Sequence, residues 1–169
     1  CKVRTTRNCL SSSAVGYGLS TAEELKQLRV VRTLQGAHPI DLVSTFMGAH
    51  AVPEEYKSDR AGYVKLVCEE MIPTVAKENL AEFCDIFCET AVFDVEETRQ
   101  ILNCAKKYGF GIKLHGDEID PIGGGELAGE LDALSAEHLI EASDAGIEAM
   151  AKSGTIGVLL PATSLYLDK

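Results

Sequence analysis

Lys113-Leu114-His115-Gly116-Asp117-Glu118 is the stretch on which the reading of the fold turns. A short apolar run delivers a histidine, and a carboxylate follows three residues later. Ala136-Glu137-His138-Leu139 repeats the theme further along. A strand that ends in a histidine, with an acid just past its tip, is how a (β/α) barrel equips the C-terminal rim of its sheet.

Outward from that stretch the chain alternates strand, rim and helix. Strands are predicted over residues 14–19, 42–47, 83–88, 111–114, 133–135 and 156–161. A helix capped by Ser20 or Thr21 carries Leu25, Leu28, Val31 and Leu34 at helical spacing, with Glu23 and Glu24 in its first turn. Another spans 64–71, with Pro73 starting a further turn. Asp94 caps a helix whose apolar line is Val95, Thr98, Ile101, Leu102 and Ala105, and Gly109 ends it. A short helix over 126–131 is entered through Gly123-Gly124-Gly125, and Ser143 opens a last one that Gly154 breaks. The strands lack polar alternation, as in a sheet buried on both faces. The expected fold is therefore α/β: six consecutive strands and their helices from a (β/α)8 TIM barrel. Residues 14–169 form its central part, and 1–13 are an unassigned N-terminal tail.

Composition narrows the function classes. The 169 residues have the length of one domain, with 46% hydrophobic and 25% charged side chains, ordinary for a soluble protein. A formal charge of −10 argues against a nucleic-acid partner, and the basic block Lys2, Arg4 and Arg7 reads as a solvated tail. Six cysteines sit mostly in apolar runs, as free buried thiols do, which points to a reducing, cytoplasmic location. Cys84 and Cys88 share one side of a strand but have no second pair to complete a metal site. No run of 18 apolar residues exists, so no membrane association is expected. A chain without an initial Met reads as processed or incomplete.

Four histidines and one tyrosine stand out. His115 ends an apolar strand beside Asp117 and Glu118, a neutral nitrogen ligand next to groups able to move protons; a structural histidine at a strand end is the plainer alternative. Glu118 reads as a proton shuttle or an ordinary loop acid. His138 points into the same mouth or caps a helix, and His50 sits at another strand exit. His38, before Pro39 at the opposite end of the repeat, reads as structural. Tyr17, between two glycines, closes over a ligand or fills a turn. The Gly123–Gly125 run lacks the Lys-Ser or Lys-Thr of a phosphate loop, which leaves a lid hinge or a close approach of helix to barrel.

Several blocks resemble the imidazolonepropionase family, cyclic amidohydrolases of histidine degradation. They are Gly16-Tyr17-Gly18-Leu19, Thr45-Phe46-Met47-Gly48-Ala49-His50-Ala51-Val52-Pro53, Asp85-Ile86-Phe87-Cys88-Glu89 and Lys113 to Glu118, then Gly124-Gly125-Glu126-Leu127-Ala128, Ser135-Ala136-Glu137-His138-Leu139 and Val158-Leu159-Leu160-Pro161. The resemblance implies an amidohydrolase barrel of which this chain supplies strands two through seven. It implies His115 as a metal ligand, Glu118 as the acid that activates water and passes its proton on, and His138 as the histidine near the scissile carbonyl. His50 and Tyr17 correspond to substrate contacts. The implied reaction opens the ring of 4-imidazolone-5-propanoate with water to give N-formimidoyl-L-glutamate, with one divalent ion, zinc or iron. The family's His-x-His pair and strand-eight Asp are not in this sequence, and Ala14 stands where a lysine is usual. With one of four expected protein ligands, this chain alone is expected to hold metal poorly and to be inactive. The resemblance implies a small-molecule substrate and is compatible with a homodimer. Two other readings stay open: an amidohydrolase for another small cyclic amide, and a non-catalytic binding or scaffold protein derived from a barrel.

Overall fold

The computed structural model describes residues 10–11, 19–35, 37 and 42–169. In chain order its elements are Leu10–Ser11 (β1), Thr21–Gln35 (α1), Leu42–Val43 (β2), Thr45–Ala49 (β3), Arg60–Leu66 (α2), Ile72–Lys77 (α3) and Phe83–Cys88 (β4). Val95–Lys107 (α4), Gly111–Gly116 (β5), Gly124–Glu130 (α5), Ser135–His138 (β6), Asp144–Ser153 (α6), Ile156–Val158 (β7) and Pro161–Tyr166 (α7) follow. Strands β3 to β7 form one five-stranded sheet in the order 3-4-5-6-7, and every neighbouring pair is parallel. Strictly sequential parallel order is the topology of barrel strands; a doubly wound sheet reverses its order partway. The short β1 and β2 pair in parallel in a second sheet. Of the first strand expected, over 14–19, all but Leu19 lies outside the described residues.

Local chemistry explains where the helices start and stop. Asp94 and Glu97 form a reciprocal capping box at α4, Ser143 caps α6 through Gly146 N–H, and Asp59 caps α2 through Gly62 N–H. Gly154 ends α6 in the left-handed conformation, at φ 80°. On α4, Thr98, Ile101, Leu102 and Ala105 are buried, as expected from the sequence, while Val95 at the start of that line is half-buried. They pack with Ile86, Ile112 and Leu114 of the sheet in the core.

Five local expectations need correction. Instead of one helix over 64–71 and a separate turn at Pro73, α2 runs through a π turn, Val67–Met71, straight into α3. The wider turn comes just before Pro73, which has no N–H to give and whose ring crowds the preceding turn of a regular helix. The strand expected over 133–135 begins at Ser135 and ends at His138. Ala133 N–H bonds Ala128 O to close α5, so pairing with β5 starts two residues later. The last strand stops at Val158, because Pro161 sits in the first turn of α7, where its fixed φ is suited. On α1, Leu25 and Leu28 are buried but Leu34 is exposed, so the apolar line expected from the spacing is not buried along its whole length.

The fifth correction concerns the sheet itself, which is not equally buried on both faces. In β5 burial alternates: Ile112, Leu114 and Gly116 are buried, while Lys113 and His115 are half-buried. The register sets Phe83, Asp85 and Phe87 of β4 beside Gly111, Lys113 and His115, and Ser135 and Glu137 of β6 beside Lys113 and His115. One face therefore carries the apolar core beneath the helices. The other carries a carboxylate, a lysine, a histidine, a serine and a second carboxylate. In a barrel this second face looks inward, where polar side chains that serve the rim belong.

Candidate active site

A β-bulge decides which way His50 faces. Phe46 pairs with Cys84 but Ala49 pairs with Ile86, so β3 spends three residues where β4 spends two. An unbroken register would put residue 50 on the helix side, beside Cys88. The extra residue moves it next to Phe87 and turns it onto the polar face, because one inserted residue inverts every side chain beyond it. Two groups hold the bulge. Glu24, buried on α1, accepts Met47 N–H at 2.8 Å, and Tyr63 OH donates to Gly48 O at 2.7 Å.

On that face His50 meets Asp85 and His115. Asp85 Oδ1 lies 3.0 Å from His115 Nδ1 and 3.6 Å from His50 Nε2, and the two imidazole rings stand edge to face with centroids 5.1 Å apart. One ligand atom from each of His50, Asp85 and His115 falls within 4.8 Å of the others. Two imidazole nitrogens and a carboxylate oxygen suit zinc or iron, so the residues present fit a divalent ion. Asp85, not singled out as a site residue in the sequence, is 4% exposed. Its signal was a lone carboxylate inside an otherwise apolar strand, which pays for burial only with partners.

His138 and Glu118 form the second half of the site. His138 Nε2 is 3.5 Å from Glu118 Oε2, and the His138 ring centroid is 5.4 Å from that of His115. His138 ends β6 at φ 72° and Leu139 follows at φ 57°. Two successive non-glycine residues in the left-handed region hold strain at the rim, where strain of this kind collects at functional sites. Asp117, at φ 49°, turns the chain between His115 and Glu118. The structure thus brings together His50, His115, Glu118 and His138. Tyr17 and His38 lie outside the described residues.

The electrostatics separate the histidines. Burial drives the His50 pKa down to about 4, with Asp85 opposing and His115 reinforcing the shift. Burial also lowers that of His138, against Glu118. Burial acts on His115 in the same sense, but its hydrogen bond to Asp85 and the charges of Asp85, Glu137 and Glu118 outweigh it and raise the pKa. At neutral pH His50 is therefore an unprotonated imidazole, the form that ligates metals. Burial raises the pKa of Glu137, with Asp85 adding to it. Cys84 and Cys88 point to the helix side, and burial raises the pKa of both, that of Cys88 to about 11, so they remain thiols away from the site.

The glycine run approaches the barrel closely. A Cβ on Gly124 would meet Gly116 Cα at 3.1 Å, and Gly123 takes φ 98° at the helix start. Of the two readings open from the sequence, close approach of helix to sheet is the one this geometry bears out.

No family model matches the chain. Curated proteins do. The imidazolonepropionase of Shouchella clausii is 58% identical over 152 residues, 90% of this chain and 34% of that protein. Those of Thermoanaerobacter pseudethanolicus and Treponema denticola are each 54% identical, over 91% and 93% of this chain and 37% and 38% of theirs. The chain thus spans little more than a third of the length of these relatives. Among solved structures, a Xaa-Pro dipeptidase crystallised with methionine in its active site superimposes with a TM-score of 0.56 at 15% identity, covering 85% of this chain and 40% of that one. That likeness concerns the fold alone.

Proposed function

From its homology to the imidazolonepropionases, we propose that this chain supplies the central barrel strands and part of the catalytic rim of an enzyme that hydrolyses 4-imidazolone-5-propanoate to N-formimidoyl-L-glutamate. The observation that carries the reading is the cluster itself: His50, Asp85, His115, Glu118 and His138, carried by four neighbouring strands and their exits, come together within a stretch 54–58% identical to those enzymes.

In this reading His115, with His50 and Asp85 beside it, would hold a divalent ion, and the chemistry such an ion would supply is polarisation of the ring carbonyl and acidification of water. Asp85 accepts from His115 Nδ1–H, which leaves Nε2 with its lone pair and fixes the ring's orientation. Glu118 takes the proton of the attacking water and returns it to the ring nitrogen as the C–N bond opens, so that one water is added across the amide and no net proton is lost. The His138 ring lies beside both Glu118 and His115, which places it to stabilise the carbonyl oxygen as charge develops there. His50 borders the bound ring, and Tyr17 is assigned to the substrate by the family resemblance alone. The same reading implies a small-molecule substrate and a cytoplasmic location. No described helix is long and apolar enough to cross a membrane.

The test is turnover by the natural polypeptide that carries this chain, loaded with zinc or with iron. Mass-spectrometric appearance of N-formimidoyl-L-glutamate from 4-imidazolone-5-propanoate is expected. Turnover of a different cyclic amide with none of this substrate would replace the assignment.

A further inference from the structure

We propose that Glu89 is a positioning residue that holds Glu118 in place for proton transfer; this deepens the reading of Glu118 given above and rests on it. Glu89 follows the last residue of β4 and is 1% exposed. Its carboxylate accepts four backbone N–H bonds: Thr90 at 2.8 Å and Asp120 at 3.2 Å on Oε1, and Glu118 at 3.1 Å and Ile119 at 2.9 Å on Oε2. Three of the four donors are consecutive residues of the β5–α5 loop, and the first is the amide of Glu118 itself.

The other end of that loop is held in the same way. Asp117, also 1% exposed, accepts Gly123, Gly124 and Gly125 N–H at 3.1, 2.9 and 2.8 Å. Glu118 thus lies in a loop tied by two buried carboxylates: Glu89 holds its own amide and the two that follow, and Asp117 holds the loop's far end. A buried carboxylate is costly unless its lone pairs are filled, and four amide donors fill those of Glu89. Glu89 is itself fixed, because Glu89 N–H bonds Phe93 O and Val92 N–H bonds Glu89 O across the turn after β4. The consequence reaches the chemistry through one atom pair: with its backbone pinned, Glu118 keeps Oε2 beside His138 Nε2. A group that must accept and return a proton gains from such preorganisation, since a displacement of about 1 Å can cost on the order of a hundredfold in rate.

The test uses Glu89→Gln in the natural polypeptide, with Glu89→Asp as a variant that keeps the buried charge while shortening the arm. The Gln amide turns an N–H2 group toward two of the four donors, which releases the loop. Expected are amide hydrogen exchange at least about tenfold faster at Glu118, Ile119 and Asp120, unchanged metal content, and a kcat lowered about tenfold or more with KM nearly constant. Glu89→Asp should fall between. Added to Glu118→Gln, the Glu89 substitution should cost little further, because both act on one step. Faster exchange with an unchanged kcat, or losses that multiply in the double variant, would overturn the positioning role. If the unsubstituted polypeptide shows no turnover of the imidazolone, the reaction assigned above fails, while the exchange rates still decide whether Glu89 holds the loop.

Discussion

Asp85 grips His115 across the β4–β5 strand pair, Oδ1 to Nδ1 at 3.0 Å, although the two residues are not opposite each other in the ladder: Asp85 pairs with Lys113, and His115 with Phe87. The bond runs diagonally along the polar face toward the rim. With Asp85 accepting from Nδ1–H, Nε2 would be the nitrogen left to ligate in the proposed site.

Asp85→Asn should therefore weaken metal binding more than it weakens the fold. Partners of this kind are typically worth about 10–100-fold in metal affinity. Metal titration of the variant, alongside a thermal melt, reads both quantities. An unchanged affinity would remove Asp85 from the site.

His115→Ala and Glu118→Gln should fail differently. The first is expected to lower bound metal, and full retention would refute the ligand role. The second should keep its metal and lose about 10²–10⁴-fold in turnover, the usual contribution of a positioned acid or base. Metal analysis and single-turnover rates on the same preparations separate the two.

Acid should destabilise the metal-free protein through His50. Its folded pKa, about 4, lies below the ordinary 6.5, so the unfolded chain takes up the proton first. Stability is lost as pH falls through that window, by ~3 kcal/mol if His50 acts alone. His138, also lowered, adds in the same direction. His115 has the opposite sign: its raised pKa gives stability that is complete below the ordinary value and lost as pH rises through the folded one. Denaturant titrations between about pH 7 and about pH 4.5 should show a slope that His50→Asn reduces; an equal slope in the variant would contradict the assignment.

Gly129→Ala should destabilise the fold without touching the site. A Cβ there would clash with the Ala149 carbonyl carbon, a backbone atom of α6 that cannot swing aside. Forcing the two helices apart is expected to cost about 1–3 kcal/mol. An unchanged melting temperature would show that α5 and α6 are not held this closely.

Much of the architecture was legible in the sequence because it depends on local rules. The Phe83–Cys88 strand, the Asp94 cap and the buried line of α4 follow from apolar runs, capping chemistry and helical spacing, which neighbours in sequence settle among themselves. Ends were less legible. Where β6 begins depends on its pairing with β5, and where α2 gives way to α3 depends on a π turn before Pro73. Neither is written in the residues at the boundary.

The sequence by itself determined that the chain alternates strands and helices as a barrel does, and it marked His50, His115, Glu118 and His138 by their place after strand tips. Only the tertiary structure decided which of them meet. His50 faces the site because one extra residue in β3, held by Glu24 and Tyr63, reverses its side. Asp85 joins because strand register carries a lone acid to the polar face, and Glu118 stands beside His138 where a loop held by Glu89 and Asp117 sets it. Strand register, the bulge and the hold of Glu89 on the Glu118 loop are relations between segments far apart in sequence, so no short window contains both partners.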